Sequence, residues 1–194
     1  MKVVIIKYNA GNIRSVYFAL KRLGIEAEIS DDKKIIMSAD KVIFPGVGEA
    51  SSAMKYLKAK QLDKTIQMLT QPVLGICLGM QLMGKFSEEG NTDGLGIFNF
   101  QVRKFSDVPK IPHMGWNNLN KMTGNLYQNI SMQKMYVYFV HSYYCEIDVN
   151  TTALCNYGFD FAASAQKNNF FATQYHPEKS GKTGEIILKN FLDL

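Results

Sequence analysis

The sequence predicts an α/β fold, with a mostly parallel central sheet, flanking helices and an antiparallel β extension. The first half of the 194 residues alternates short apolar runs with longer amphipathic stretches, which is the pattern of a parallel sheet covered on both faces. The second half carries strand-like runs, several rich in aromatic residues, separated by turn signals. Since no linker or repeat divides the halves, we expect residues 1–194 to form a single domain.

The first half alternates strands with helices. Short apolar runs predict strands at residues 3–7, 26–29, 42–44 and 73–76. Apolar residues spaced three and four apart predict helices at residues 12–23, 49–60 and 78–86. Gly24 follows the first of these helices, where a C′ glycine commonly ends one. The predicted strands thus alternate with helices through short connections, which is the order that a parallel sheet requires.

The second half is predicted to consist mainly of strands. They lie at residues 98–104, 117–120, 135–140, 143–147, 153–157, 162–166 and 170–175. A closing helix is predicted at residues 183–192, with Ile186, Ile187 and Phe191 available to the core. These consecutive strands predict the antiparallel extension.

Composition excludes several function classes. Lys and Arg outnumber Asp and Glu by 22 to 17, a formal net charge of +5 that favours anionic partners or substrates. The positive residues form no basic stripe with interleaved aromatics, so we expect no nucleic-acid partner. No apolar run approaches the ~18 residues of a membrane span, and the four-residue run near the start predicts a strand and not a signal peptide. We therefore expect no membrane association and a cytoplasmic location.

Neither a metal nor a cofactor is predicted. The cysteines are odd in number and lack a CxxC pair, which argues against a disulfide framework or zinc ribbon; they are Cys77, Cys145 and Cys155. His113 and His141 show no metal-ligand spacing, and we interpret His141 as structural or partner-facing. A G-x-G-x-x-G motif is absent. The segment GKT at 181–183 is not a phosphate-binding loop, because His176 stands where that motif needs glycine.

The segment GICLGMQ at 75–81 is a candidate nucleophile site. Gly75 and Gly79 permit a sharp turn from strand to helix, which would place the Cys77 side chain at the edge of the sheet. The helix N-terminus supplies positive potential and free N–H groups, which favour a thiolate and hold an oxyanion. The segment alone fits a buried structural cysteine equally well.

The segment QYHPE at 174–178 is a candidate general base. Side chains two apart on an extended segment lie on the same side, so Glu178 can accept from one nitrogen of His176 while the other faces a nucleophile. Pro177 stiffens the pair. Taken alone, this histidine also fits a polar loop residue. Together with Cys77 it completes a Cys–His–Glu triad at the carboxyl edge of the sheet, suited to thiolate attack on a carboxamide.

A third segment, PGVG at 45–48, follows a predicted strand and would supply oxyanion contacts. Its glycines let the backbone approach a ligand and rotate its amides, although an ordinary loop would also explain them. Because glycine occupies positive φ at little cost, the Gly46–Val47 peptide could take either of two orientations. Only one orientation would aim the Val47 N–H at a developing oxyanion.

Together these three motifs resemble the triad-type (class I) glutamine amidotransferases. A narrower resemblance, to the glutaminase subunits of imidazole glycerol phosphate synthases from histidine biosynthesis, rests on PGVG at 45–48, PHMGWN at 112–117, YFVHSY at 138–143 and the Gly11-Asn12 turn. The resemblance covers essentially the whole chain. It implies a class I glutamine amidotransferase-like, flavodoxin-like fold. Ser142 stands where the family also commonly has Thr.

The resemblance also implies residue roles. Cys77 would be the nucleophile, His176 the general base and acid, and Glu178 its orienting partner. The backbone N–H of Leu78, with one from the 46–48 loop, would form the oxyanion hole. Glutamine would be held around Gly46, Val47, Leu78, Gly79, Gln81, Ser142 and Tyr143. The positions that face the partner subunit would be Asn12, Trp116, Tyr138 and Lys179.

The implied partner is a (β/α)₈-barrel cyclase in a heterodimer. Ammonia released from L-glutamine would be channelled to that cyclase, which makes imidazole glycerol phosphate and the aminoimidazole carboxamide ribonucleotide. An alternative is a glutaminase serving another synthase, for aminated surface sugars, GMP or anthranilate. A non-catalytic binding module with a spent triad is disfavoured, since the chain keeps all three triad residues.

Overall fold

A computed structural model of the chain describes residues 1–9, 11–128, 130 and 135–194. Strands and helices alternate up to residue 83. The strands are β1 (Val3–Ile6), β2 (Glu28–Ser30), β3 (Lys41–Phe44) and β4 (Val73–Ile76). The helices are α1 (Ile13–Arg22), α2 (Lys33–Met37), α3 (Ala50–Ala59), α4 (Leu62–Gln67) and α5 (Leu78–Met83).

Strands dominate the rest of the described chain. They are β5 (Phe86–Ser87), β6 (Thr92–Asp93), β7 (Gln101–Lys104), β8 (His113–Asn118), β9 (Tyr136–His141), β10 (Tyr143–Cys145), β11 (Thr151–Asn156), β12 (Asp160–Lys167) and β13 (Phe170–Thr173). The helix α6 (Gly181–Leu192) follows, preceded by a short 3₁₀ turn at Pro177–Lys179. No helix in this described part of the chain is long and apolar enough to cross a membrane.

One mixed sheet of eleven strands organises the molecule. Its order is β2-β1-β3-β4-β13-β12-β10-β7-β5-β6, and β11 pairs with β12. The five strands from β2 to β13 run parallel, whereas β12, β10 and β7 continue the sheet in antiparallel pairs. A separate antiparallel pair joins β8 to β9. This architecture confirms the predicted fold class.

The inner parallel strands β1, β3, β4 and β13 are buried on both faces, which explains their apolar character, whereas the edge strand β2 is mostly exposed. On one face α3, α4 and α5 cover the sheet through Leu57, Ile66 and Met80. On the other face α1 and α6 cover it through Leu20 and Phe191. The two faces therefore have separate apolar clusters, with the sheet between them.

β4 and β13 are direct neighbours, although about a hundred residues separate them in sequence. Thr173 lies opposite Ile76 in the parallel register, so both strands end at the same edge. Cys77 follows β4 at once, and His176 comes three residues after β13. The topology thus brings the two predicted catalytic segments together.

Several predicted boundaries were wrong. The helix predicted at 78–86 ends at Met83, because Gly84 is extended and the chain turns into β5. The strand predicted at 117–120 is β8, which begins at His113 and alternates buried or half-buried with exposed side chains. The strand predicted at 98–104 begins only at Gln101, and the helix predicted at 183–192 begins two residues earlier, at Gly181. The short helices α2 and α4 were not predicted.

Candidate active site

Cys77 lies on a sharp turn between β4 and α5. Its backbone has φ 52° and ψ −106°, a conformation that L-residues rarely adopt. A Cβ at Gly79 would overlap the carbonyl oxygen of Phe44, and a Cβ at Gly75 would lie 2.9 Å from Met83 Sδ. The Cys77 N–H donates to Thr173 O at 2.7 Å. Only glycine therefore fits on either side of this cysteine, as the motif predicts.

His176 and Glu178 form a buried pair beside Cys77. The distance between His176 Nδ1 and Glu178 Oε1 is 2.7 Å, and both side chains are fully shielded from solvent. His176 Nε2 is buried and makes no hydrogen bond with the described residues. Burial lowers the pKa of His176, but the nearby Cys77 sulfur and the Glu178 carboxylate outweigh it and raise the pKa to about 10. This environment favours the protonated imidazolium form of His176.

Asn12 lies against this pair. Its Nδ2 donates to Glu178 Oε1 and lies 3.4 Å from His176 Nδ1. The residue has φ 72°, in the left-handed region that asparagine tolerates better than most residues. We expected Asn12 at the partner surface, and the structure places its amide on the triad carboxylate.

A cavity of about 240 Å³ opens beside Cys77. Its walls come from the loop after β3, from α5 and from the β9–β10 connection. The lining residues are Val47, Gly48, Cys77, Leu78, Gln81, Glu89, Pro112, Val140, His141, Ser142 and Tyr143. Five of the residues predicted to bind substrate are among them, and Gly46 and Gly79 pack underneath. Gly46 leaves no room for a side chain, because a Cβ there would lie 3.0 Å from Leu78 Cβ.

Glu89 is a lining residue that the sequence analysis missed. Its Oε2 accepts from the Ala50 N–H at 2.9 Å, and burial raises the pKa of its carboxyl. The surrounding sequence, EEGN at 88–91, has the composition of a solvated turn. No local signal could have distinguished Glu89 from its exposed neighbour Glu88, since its position depends on contact with α3.

The loop at 45–48 holds one defined orientation. The Leu78 N–H, predicted as an oxyanion donor, donates to Gly46 O at 3.2 Å. Val47 O accepts from the Gly11 N–H at 2.9 Å, and the Tyr8 hydroxyl donates to Pro45 O. The Leu78 N–H is therefore already bonded to the Gly46 carbonyl and is not free for an oxyanion. This differs from the open oxyanion hole that the sequence predicts.

His141 lines the cavity but has no free lone pair. Its Nδ1 lies 2.7 Å from Tyr143 O, and because a carbonyl only accepts, Nδ1 carries the proton. Its Nε2 therefore accepts from His113 Nδ1, at 2.9 Å. Burial lowers the pKa of His141 to about 3 and that of His113 to about 4. Both imidazoles are neutral and structural, and His176 has the free nitrogen that a base requires.

The pair β8–β9 presents an aromatic face made of Met114, Trp116, Tyr136 and Tyr138. Trp116 is 56% exposed and lies opposite Tyr138 in the strand register. The Lys179 ammonium lies 6.0 Å from the centre of the Tyr138 ring. The Tyr138 carbonyl accepts from the His176 N–H at 2.9 Å, so this face is joined directly to the triad. Three of the four predicted partner-facing residues thus lie together.

Comparison with known proteins agrees with this geometry. The family model described as glutamine amidotransferase class-I matches residues 4–194. The chain therefore belongs to the class-I glutamine amidotransferase family. Within it, the chain is 57% identical over 199 residues to the imidazole glycerol phosphate synthase subunit HisH of Bacteroides thetaiotaomicron, covering 100% of both chains. It is 47% identical over 197 residues to the protein of that name in Escherichia coli K12, again covering 100% of both.

Solved structures share the fold. A putative GMP synthase protein from Thermoplasma acidophilum superposes with a TM-score of 0.76 at 20% identity, covering 100% of this chain and 93% of that one. PurLQS from Thermotoga maritima gives a TM-score of 0.74 at 19% identity, covering 99% and 97%. At these identities the likeness concerns the fold alone.

Proposed function

We propose that this chain hydrolyses L-glutamine to glutamate and ammonia as the glutaminase subunit of an imidazole glycerol phosphate synthase, in histidine biosynthesis. The observation that carries the proposal is the buried 2.7 Å contact between His176 and Glu178 beside the Cys77 turn, at the mouth of a cavity. Full-length identity of 47–57% to proteins named as HisH subunits supports the choice of pathway.

The chemistry follows from the charges of the triad. The Cys77 thiolate attacks the side-chain carboxamide carbon of glutamine, and the proton held on His176 passes to the departing nitrogen as ammonia leaves. The product is a γ-glutamyl thioester on Cys77. His176 then takes a proton from water, which attacks the thioester and releases glutamate and the thiolate. Glu178 keeps the imidazole oriented and stabilises its charged form.

Two parts of the cavity suit the rest of the substrate. Glu89 places a carboxylate on the wall, which suits the α-ammonium group of glutamine. Ser142 and Tyr143 line the cavity together with Leu78 and Gln81 of α5. Gln81 donates through Nε2 to Tyr143 O at 2.9 Å, so we infer that it also holds this wall in place.

We infer that the partner is a (β/α)₈-barrel cyclase in a heterodimer, docked on the aromatic face. The proximity of this face to His176 would let ammonia pass directly to the cyclase, with Asn12 and Lys179 at the rim of the contact.

One sheet shared by both halves of the chain supports treating residues 1–194 as a single domain. Three free, buried cysteines fit a reducing compartment such as the cytoplasm.

The test is the Cys77→Ala variant assayed with the cyclase. Glutamine-dependent turnover should disappear, while turnover with added ammonia persists, because the cyclase needs only the ammonia. A glutamine-like electrophile should label Cys77 and spare Cys145 and Cys155, which are buried and whose thiol pKa values are raised by burial. Cys155→Ala serves as the matched control and should keep glutaminase activity, since its Sγ lies against Asn156 O. Full activity in Cys77→Ala would overturn the proposal.

A further inference from the structure

Gln174 touches the nucleophile, yet no step described above uses it. It follows β13 and is fully buried, with 0% of its surface exposed. Its Nε2 lies 3.6 Å from Cys77 Sγ, and its backbone N–H donates to Ala163 O at 2.8 Å. Burying a primary amide is costly unless its groups are hydrogen-bonded, so this placement needs an explanation.

The hydrogen-bond partners of Gln174 determine which end of its side-chain amide faces the Cys77 sulfur. Tyr143 O can only accept, so the group of Gln81 that lies 2.9 Å away must be its NH₂. The same Gln81 nitrogen lies 3.0 Å from the side-chain amide of Gln174. Because an NH₂ group donates, the Gln174 atom that faces it must be the acceptor, Oε1. The Gln174 NH₂ group is therefore the end that points at Cys77.

Cys145 reinforces this orientation. Its Sγ lies 3.8 Å from Gln174 Oε1. Burial raises the pKa of the Cys145 thiol well above its usual range, so the group stays protonated and donates to the oxygen. Two donors thus hold Oε1, and the amide cannot turn over without losing both.

We propose that Gln174 is a further catalytic residue, which donates an N–H bond to Cys77 Sγ and stabilises the thiolate relative to the thiol. The proposal rests on the proposed function and adds a residue to its site. A hydrogen bond to a charged acceptor is stronger than one to a neutral acceptor, so the donor favours the ionised sulfur. The amide is uncharged, so it does this without competing with His176 for a proton.

The same bond acts twice in the reaction. The sulfur carries negative charge before it attacks glutamine, and again when it leaves as water opens the thioester. In the thioester itself the sulfur is neutral and gains less from the donor. Gln174 therefore stabilises the sulfur both before and after the intermediate, while His176 moves the proton.

The test is the pH dependence of Cys77 alkylation by iodoacetamide, a neutral probe, followed by peptide mass mapping. Gln174→Met and Gln174→Leu remove the donor with little change in size. In both, the midpoint of the pH profile should rise by about one pH unit, which corresponds to the strength of a hydrogen bond to a charged group. In the complex with the cyclase, kcat for glutamine hydrolysis should fall about tenfold, while KM changes little.

Cys155→Ala is the matched control, since Cys155 is also buried but its Sγ lies against Asn156 O and takes no part in holding Gln174. Its alkylation midpoint should match the wild type. Melting curves show which of the two Gln174 variants fold. The alkylation midpoint of either folded variant is sufficient for the test. An unchanged midpoint in a folded Gln174 variant would overturn the inference. Failure of the proposed function would look different, because wild-type protein with the cyclase would then release no glutamate.

Discussion

The two nitrogens of His176 have separate tasks. Nδ1 is held by Glu178 at 2.7 Å, with the Asn12 amide at 3.4 Å, whereas Nε2 has no hydrogen bond with the described residues, which suits the proton transfer that we propose. Loss of the orienting carboxylate leaves Asn12 as a second contact to the ring. Loss of the imidazole leaves no base, since the lone pair of His141 Nε2 is already taken by His113.

We therefore expect His176→Ala and Glu178→Ala to differ. The first should lower kcat by several orders of magnitude, and the second by less, because the imidazole still reaches the thiol part of the time. Steady-state glutamate release with the cyclase present measures both. Equal, mild losses would mean that another group is the base.

The grouping of Cys77, His176 and Glu178 could be predicted from sequence because each belongs to a short segment with a distinctive pattern. Two glycines allow the turn at Cys77, and His176 and Glu178 are only two residues apart. The predicted extended segment was wrong, however, because Glu178 lies in the 3₁₀ turn at Pro177–Lys179, and this turn brings its carboxylate to His176. Glu89 and Gln174 could not be predicted in the same way. Each reaches the site through contacts with an element distant in sequence, and neither belongs to a segment with a distinctive pattern.

At the scale of elements, the paired strands β8 and β9 contain a buried pair of neutral histidines. His113 and His141 have pKa values of about 4 and about 3 in the folded chain, below the ordinary 6.5. The unfolded chain therefore binds more protons as the pH falls below 6.5. The stability that these histidines contribute is complete above that pH and is lost on acidification.

We expect the free energy of unfolding to fall between pH 6.5 and 5, by up to about 1.4 kcal/mol per pH unit from His141 alone. His176 adds little in this window, because its raised pKa keeps it protonated in the folded chain and its unfolded imidazole is already at least half protonated below pH 6.5. Urea unfolding at each pH measures the slope. The slope should be shallower in His141→Gln, and an identical slope in that variant would contradict the assignment.

The loop at 45–48 is a second element with a measurable consequence. Its Gly46 carbonyl accepts from the Leu78 N–H at 3.2 Å, so the oxyanion site lacks a donor in this orientation. One missing oxyanion donor costs about 10²–10³ in rate. Turning the Gly46–Val47 peptide over would free Leu78 and aim the Val47 N–H at the oxyanion.

We expect weak glutaminase activity from the isolated chain, rising at least about a hundredfold with the cyclase and its ribonucleotide substrate. Glutamate release with and without the liganded partner measures the change, and Cys77→Ala provides the background rate. If the isolated chain already worked at the full rate, the orientation of the loop at 45–48 would not be what limits glutaminase activity.

Element prediction succeeded where the sequence pattern had a single structural explanation. The unbroken apolar run at β4 is buried on both faces, and the prediction matches its bounds at Val73–Ile76. The five-residue α2 is too short to show a helical period. β8 has one buried residue in six, so its side chains carry almost no apolar signal.

At the scale of the whole molecule, the exposed aromatic face is the surface on which we propose that the cyclase docks. Trp116 is 56% exposed in a patch that also contains Met114 and Tyr136, which are 58% and 50% exposed. Contiguous apolar surface of this kind marks an interaction site. Because the face adjoins His176 through the Tyr138 carbonyl, docking there acts close to the triad.

Trp116→Ala should therefore weaken association with the cyclase by about 2 kcal/mol or more, as expected of an interface anchor. Calorimetric titration of the cyclase with this chain measures the affinity. Met68→Ala is the control, since Met68 is 61% exposed at the end of α4 and lies outside the aromatic face. Unchanged affinity in Trp116→Ala would rule out this anchor.

The position of β13 within the sheet has a consequence for synthesis on the ribosome. β13 joins the parallel strands to the antiparallel ones, yet it is translated after all the other strands. Until it emerges, β4 is an open edge with unpaired backbone groups, a template for aggregation. A nascent chain at that stage also has Cys77 without His176. Unfinished chains are therefore prone to associate but unable to consume glutamine. Activity can begin only after β13 has paired with β4 and β12.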